Sequence, residues 1–441
     1  MRLKLPQIEI DASDPYKNDL LDRKAFGDAL TNLIDQTDSE LTISIDGQWG
    51  DGKTTFAKMW FSQLRQSGFR VLYFDAFAND HGDDPFIPLS AALLEALTTE
   101  SDANEAQIRE LGKNVAKIGV RLLKIGGRIA VRAVTAGTVG DSELAGFADI
   151  AEKAASEVSD EVSDSLLRRL DEYHIDQSEI DDFRSLLSEV ANSGDDGKPA
   201  VIILDELDRC RPTYALAALE KVKHFFSVEG LVFVFVLNTE QMCASVEQFY
   251  GSGIDARQYL HKFIDVECRL PSKELKSRGP SSYKTYSRFL LSEHKFNAFG
   301  DMADLDEIVP SLAQAFDLSL RDMEKACRNI VLFYASIQER QLHISSVVAL
   351  IAVIKVKDRV SYDEIAAGVL KSYEPVVEKL KGDANLDYIR NWFLTCLGHD
   401  SEVDESKKSF IEHAQQMEGN VHLKRTVFLQ YHCAILDYFS L

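Results

Sequence analysis

Cysteine is scarce in these 441 residues: Cys210, Cys243, Cys268, Cys327, Cys396 and Cys433 stand far apart, with no CxxC pair among them. That spacing argues against a structural zinc site and against a disulfide-stapled secreted scaffold, so the thiols are expected to be reduced and mostly buried. No uncharged run reaches the roughly 18 apolar residues that a helix needs to cross a bilayer. The amino-terminal stretch MRLKLPQIEIDASDPY also lacks the apolar centre of a signal peptide. Positive charge is in deficit, with 49 Lys and Arg against 71 Asp and Glu, for a net charge of −22. Such a surface repels a phosphodiester backbone, so nucleic acid is not an expected partner and any polyanion must be held locally. No His-Glu-x-x-His and no Gly-x-Ser-x-Gly occurs, which argues against zinc-protease and serine-hydrolase chemistry. A cytoplasmic globular protein is the expectation.

Hydrophobic residues make up 45% of the chain, enough for two or three domains. Apolar, β-rich runs alternate with helical patterning. LTISI (Leu41 to Ile45), VLYFDAF (Val71 to Phe77), the apolar run ending in carboxylates within PAVIILDELDRCRP (Pro199 to Pro212), LVFVFVLN (Leu231 to Asn238) and FIDVECRL (Phe263 to Leu270) read as strands. Lys24 to Ile34 reads as an amphipathic helix, and so does the segment carrying Phe56, Met59, Trp60 and Leu64. Such alternation predicts an α/β, three-layer core with a parallel sheet. The predicted division is residues 1–79 as the first part of the core, 80–197 as a helical insertion, 198–271 as the second part and 272–441 as a C-terminal helical domain.

Between the first strand and the helix that follows lies Gly47-Gln48-Trp49-Gly50-Asp51-Gly52-Lys53-Thr54-Thr55. It satisfies G-x-x-x-x-G-K-[ST] in full and in the required strand-loop-helix setting. Gly47, Gly50 and Gly52 let the backbone turn its N–H groups around phosphate oxygens, and the helix starting at Lys53 adds the positive end of its dipole. Lys53 can reach the β- and γ-phosphates, and the Thr54 hydroxyl can ligate Mg²⁺. Such a site also needs a carboxylate at the end of a neighbouring strand. Asp205 is the expected magnesium partner and Glu206 the expected group to polarise water. Asp208 is equally readable as a solvated carboxylate at a helix start, and Trp49, Trp60 and Trp392 as packing residues, although Trp49, inside the glycine loop, could limit access to the phosphates.

VIILDELDRCRPTYALAALEKVKHFF resembles the acidic-strand signature of the KAP family of P-loop NTPases, with Glu206 where Asp is more usual. YFDAFANDHGDDPFIPLSAALLEAL, LVFVFVLNTEQMCASVEQFYG and RQYLHKFIDVECRLP resemble further segments of the same family. The resemblance implies a Mg²⁺-dependent nucleoside triphosphatase, and the absence of Asn-Lys-x-Asp leans towards ATP. It also implies a γ-phosphate-sensing role for Asn238, phosphate contacts in cis or from a neighbouring subunit for Arg257 or Lys262, and a lid contact for Arg321. ATP binding and hydrolysis would then act as a switch for assembly or partner control, including defence against phage or plasmids. A nucleotide-gated scaffold with little turnover is the alternative, with a homo-oligomer or a partner protein expected in either case.

In the insertion, Lys113, Lys117, Arg121, Lys124, Arg128 and Arg132 recur every three or four residues, one stripe on a helix, with Val115, Ile118, Leu122, Ile125 and Ile129 beside it. Three readings stay open. The stripe could meet an anionic membrane surface at the inner face, pack on the acidic stretch at 152–164, or bind nucleic-acid phosphates; the nearby acids favour packing.

Overall fold

Val, Ile, Leu and Phe dominate five short runs, and each becomes a parallel strand. The computed structural model describes residues 9–37, 39–82, 84–99, 105–126, 177–192, 197–271, 282–296, 302–337, 343–369, 373–403, 409–421 and 424–438. The strands are β1 (Leu41–Asp46), β2 (Val71–Asp75), β3 (Ala200–Asp205), β4 (Leu231–Leu237) and β5 (Val266–Arg269). They form one sheet in the order β2-β3-β4-β1-β5, with every pairing parallel.

The pleat sorts the side chains into two faces. Ile43, Ile45, Val201, Ile203, Val232, Val234 and Val236 meet α1 (Lys24–Asp35) and α2 (Lys53–Gln66) through Leu30, Ile34, Phe56, Trp60 and Leu64. Their sequence neighbours Ile202, Leu204, Phe233, Phe235 and Leu237 point the other way. There they join Leu89 and Leu93 of α3 (Phe86–Thr99), Val115 and Ile118 of α4 (Glu105–Gly126), and Phe183 and Leu187 of α5 (Gln177–Ala191). The same face is covered by α6 (Pro212–Lys221), α7 (Thr239–Tyr250) and the short α8 (Ala256–Leu260). The result is the expected three-layer α/β core with helices on both faces. Four of the six cysteines are buried, and all six are free.

Beyond β5 the described chain is helical: α9 (Ser282–Glu293), α10 (Met302–Ala315), α11 (Leu320–Ser336), α12 (Ser345–Lys357), α13 (Arg359–Ala367), α14 (Glu374–Lys379), α15 (Ala384–Leu397), α16 (Ser409–Val421) and α17 (Phe428–Leu436). These helices enclose an apolar core of their own. At its centre is α12, whose residues from Ser346 to Ile354 are all buried; a helix apolar on every side can only be an internal one. Among the described residues, no helix is long and apolar enough to cross a membrane.

Two expectations change. The acidic strand β3 is not the neighbour of β1, because β4 lies between them. Strands sit about 4.8 Å apart, so the carboxylate stands two spacings from the glycine loop, which leaves room for a phosphate and a metal between them. Asp208 is buried, at 9% exposure, rather than solvated. Only part of the basic stripe lies on α4: Lys113 and Lys117 are exposed while Leu111, Val115 and Ile118 are buried. Arg128, Arg132 and the acidic stretch at 152–164 lie outside the described residues.

Candidate active site

The carboxyl ends of β1 and β3 carry the loops that meet at the site, on the two sides of β4, where the strand order is interrupted and α/β sheets place their ligands. After Asp46 the chain turns through Gly50 (φ +93°) and Gly52 (φ +80°), conformations that favour glycine. A Cβ on Gly50 would also lie 2.7 Å from Arg321 Cβ and 2.9 Å from Ser319 Oγ, at the N-terminus of α11. Ser319 caps that helix through the Asp322 N–H, and Asp322 returns a bond to the Ser319 N–H. The glycine loop is therefore seated against the C-terminal helices.

Lys53 is buried, and its ammonium donates to the carbonyls of Gly47 (2.6 Å) and Gln48 (3.2 Å) of its own loop. Burial lowers its pKa, while the carboxylates of Asp208, Asp51, Asp205 and Asp46 work in the opposite sense. Among the described residues, the N–H groups of Gly52, Lys53 and Thr54 meet no protein acceptor. They are orphan donors at a helix N-terminus, the arrangement that receives anions.

Across β4, Asp205 is 1% exposed and accepts from the Tyr73 hydroxyl (2.7 Å), the Glu206 N–H (2.8 Å) and the Thr54 side chain. Burial raises its pKa against those three hydrogen bonds. Glu206 has φ +61°, a left-handed conformation uncommon for a residue with a side chain, and it pairs with Arg209 at 3.0 Å. Its pKa is raised too, by burial first, with the Arg209 guanidinium opposing. Asp208 accepts the Trp49 indole N–H at 2.6 Å. Trp49 itself is 44% exposed, so it is not the packing residue expected of it, whereas Trp60 and Trp392 are buried.

One cavity of about 340 Å³ gathers Gln48, Trp49, Gly50, Gly52, Lys53, Thr54, Thr55, Asp205, Glu206 and Arg321. That size is within the range of small-molecule sites. Asn238 stands just outside it, capping α7 through the N–H groups of Glu240 and Gln241 and donating to Gln48 Oε1 at 3.2 Å. Gly47 and Asp51 support the loop from behind: Gly47 N–H donates to Leu237 O, and Asp51 Oδ2 accepts from the Gln48 N–H. Arg257 is exposed on α8, and the fold brings neither it nor Lys262 to this cavity.

Four participants were not foreseen from sequence: Arg23, Tyr73, Arg209 and Glu324. Of these, Arg209 alone had a local signal, three residues after Glu206 on the same turn.

Residues 23–337, more than half of the chain, match the KAP family P-loop domain. The chain belongs to this family. Glycine loop, acidic strand and the N-terminus of α11 all fall inside the matched segment. The KAP chain is also 25% identical over 175 residues to an uncharacterized protein of Methanocaldococcus jannaschii, an alignment covering 38% of this chain and 90% of the relative. Among solved structures it is similar to the Aeropyrum pernix ORC2 protein in its ADPNP-ADP complexes, with a TM-score of 0.35, 13% identity, and 95% and 94% of the two chains covered. The ADP form of that protein gives a TM-score of 0.35 and 10% identity, with 99% and 96% covered. Superposition at that level is too loose to transfer anything to the KAP chain.

Mg²⁺ is tested against the donors present. A buried carboxylate, Asp205, hydrogen-bonds the Thr54 hydroxyl within the cavity, so two hard oxygen ligands already face each other. Among the described residues, no group of three or more metal-ligating side chains exists. Few protein oxygens with the remainder from phosphate and water is the set Mg²⁺ prefers, and the site fits it.

Proposed function

We propose that this KAP protein is a Mg²⁺-dependent ATPase whose binding and hydrolysis of ATP switch its conformation to control assembly or a partner. The reading rests on one observation: Lys53, Thr54, Asp205 and Glu206 line a single cavity although some 150 residues separate the two pairs in sequence. The proposed division of the chain into 1–79, 80–197, 198–271 and 272–441 goes with it.

On binding, the orphan N–H groups of Gly52, Lys53 and Thr54 receive phosphate oxygens. Lys53 exchanges its two loop carbonyls for the same oxygens, so part of the ligand's charge is matched by a cation already in place. Thr54 and Asp205 would hold Mg²⁺, which when bound offsets charge on the transferring phosphoryl group. Glu206, whose pKa burial moves upward, is suited to orient water and to accept its proton more readily than a free carboxylate. Arg321 at the cavity wall supplies a further positive charge, and Asn238, linked to Gln48, reports loop filling to α7. Arg257 could reach a phosphate only of a neighbouring copy. Nucleotide-dependent assembly against phage or plasmids remains part of this proposal.

Phosphate release by the purified chain with Mg-ATP, compared with Glu206→Gln, is the test. Turnover lost by ~100-fold or more with binding retained supports hydrolysis. No calorimetric heat from Mg-ATP would remove the reading entirely. The Glu206–Arg209 ion pair supports a second reading, a nucleotide-gated scaffold, because that pair occupies the carboxylate a hydrolase would use. Binding without turnover in either protein would favour it. Membrane contact through Lys113 and Lys117 would be read by flotation with anionic vesicles, and unchanged flotation after Lys113→Glu and Lys117→Glu would remove it.

A further inference from the structure

Arg23 lies just before α1, some thirty residues ahead of the glycine loop, yet it is only 5% exposed and lines the cavity. Its guanidinium is applied to the loop as a fork. Nη2 donates to the Asp51 carbonyl at 2.6 Å and Nη1 to the Gly52 carbonyl at 3.1 Å. Asp19 fixes the other end, its Oδ2 accepting from the N–H groups of Arg23 and Lys24. Among the described residues Arg23 forms no ion pair, and its buried Nε has no hydrogen-bond partner. Burial pushes its pKa down to about 10 against the pull of Asp19 and Asp51. A buried cation whose nearby carboxylates do not contact it is costly to keep, and the two loop carbonyls are what this one holds in return.

The consequence for the loop follows from peptide geometry. A trans peptide holds the C=O of one residue and the N–H of the next on opposite sides. Fixing the carbonyls of Asp51 and Gly52 therefore turns the N–H groups of Gly52 and Lys53 away from the guanidinium, and these are the donors that meet no protein acceptor. The Gly52 carbonyl also accepts the Phe56 N–H at 3.0 Å, the first bond of α2, whereas among the described residues the Asp51 carbonyl is held by the fork alone. Without the fork the Asp51–Gly52 peptide plane, in a loop of positive-φ glycines, can rotate.

We propose that Arg23 is a positioning residue for polyphosphate: its fork holds the Asp51 peptide plane and supports the Gly52 plane, so that the loop N–H donors are aimed at the bound phosphate. The proposal rests on the reading that the cavity holds a nucleoside triphosphate.

The test uses the full chain, its Arg23→Lys and its Arg23→Gln variants, titrated with Mg-ATP and Mg-ADP in a calorimeter and melted with and without ligand. Lysine keeps the charge but lacks the rigid planar geometry with which the guanidinium holds both carbonyls at fixed directions. The expected result is a ~10-fold weaker Kd for both ligands in the lysine variant and ~30-fold or more in the glutamine variant. The ligand-induced rise in Tm, measured from each variant's own unliganded Tm, should shrink in the same order. A residue that only held the fold together would lower the unliganded Tm and leave that increment intact. Binding by Arg23→Lys within ~3-fold of wild type, or an unchanged increment, overturns the inference. If Arg23→Gln fails to fold, Arg23→Lys decides alone. Failure of the wild type itself to bind Mg-ATP removes the nucleotide reading instead, which separates the two failures.

Discussion

The indole N–H of Trp49, at the crown of the glycine loop, donates to Asp208 Oδ2 at 2.6 Å, on the turn that follows the acidic strand. The glycine loop and the turn after the acidic strand are thus joined by a bond at the rim of the cavity. Because Trp60 and Trp392 are buried and Trp49 is 44% exposed, a change in tryptophan emission on adding Mg-ATP is expected to come from Trp49. Trp49→Phe should remove that change. In urea unfolding, a double-mutant cycle of Trp49→Phe with Asp208→Ala is expected to show a coupling of about 1 kcal/mol, as for a half-exposed bond to a charged acceptor. Additive effects would mean that the bond contributes nothing.

Gly50→Ala combines two penalties. The φ of +93° is unfavourable for any Cβ, and that Cβ would stand 2.7 Å from the Cβ of Arg321. A loss of about 2–4 kcal/mol in unfolding free energy is expected from left-handed strain plus overpacking. Thermal or denaturant unfolding measures it, and a variant as stable as wild type would show that α11 is not seated on the loop.

Tyr73→Phe deletes one hydrogen bond to Asp205 and leaves the packing of the ring. That bond holds the Asp205 pKa down against burial, so its loss moves the pKa further upward. Metal binding needs the carboxylate ionised, hence the variant should need a higher pH to bind. Mg²⁺-dependent nucleotide affinity is expected to fall about 10-fold, the scale of an outer partner of a metal ligand, with the larger loss at the acid end of a pH series. Equal losses across the series would dissociate Tyr73 from the ionisation of Asp205.

His432 is buried among the C-terminal helices, stacked on Phe333 at 5.2 Å, and burial pushes its pKa down from 6.5 to about 4. The unfolded chain takes up a proton near the ordinary value and the folded chain does not. Stability from this residue is therefore complete above the ordinary histidine pKa and lost progressively as pH falls from there towards 4. The loss by the lower limit is expected to be about 3 kcal/mol at 1.36 kcal/mol per unit. Urea midpoints across that window should flatten in His432→Phe; an unchanged slope would place the titration elsewhere.

What the sequence disclosed and what it withheld divide along contact range. The five strands lie within a few residues of their apolar runs because a strand buried on both faces of a covered sheet is written as a continuous apolar run, a local property readable one strand at a time. Gly50, Gly52, Lys53 and Thr54 were legible for the same reason: loop and helix start form one continuous stretch. Strand order is different, since a list of strands does not say that β4 stands between β1 and β3. Tyr73 looked like one more alternating residue of β2, and nothing short of the β2-β3 register, which pairs it with Ile203, brings its hydroxyl to Asp205. Arg23 was invisible on the same grounds. Its partners are two backbone carbonyls, which leave no side-chain signature.

The contact of Gly50 with Ser319 and Arg321 has a mechanical corollary. The space between the loop and the first turn of α11 is narrower than one methyl group, so the two bodies have no clearance. If the proposed switch operates, any widening of the loop would have to be met by a shift of α11, which packs along the internal helix α12. A single added carbon at Gly50 would press on that first turn before any ligand arrived.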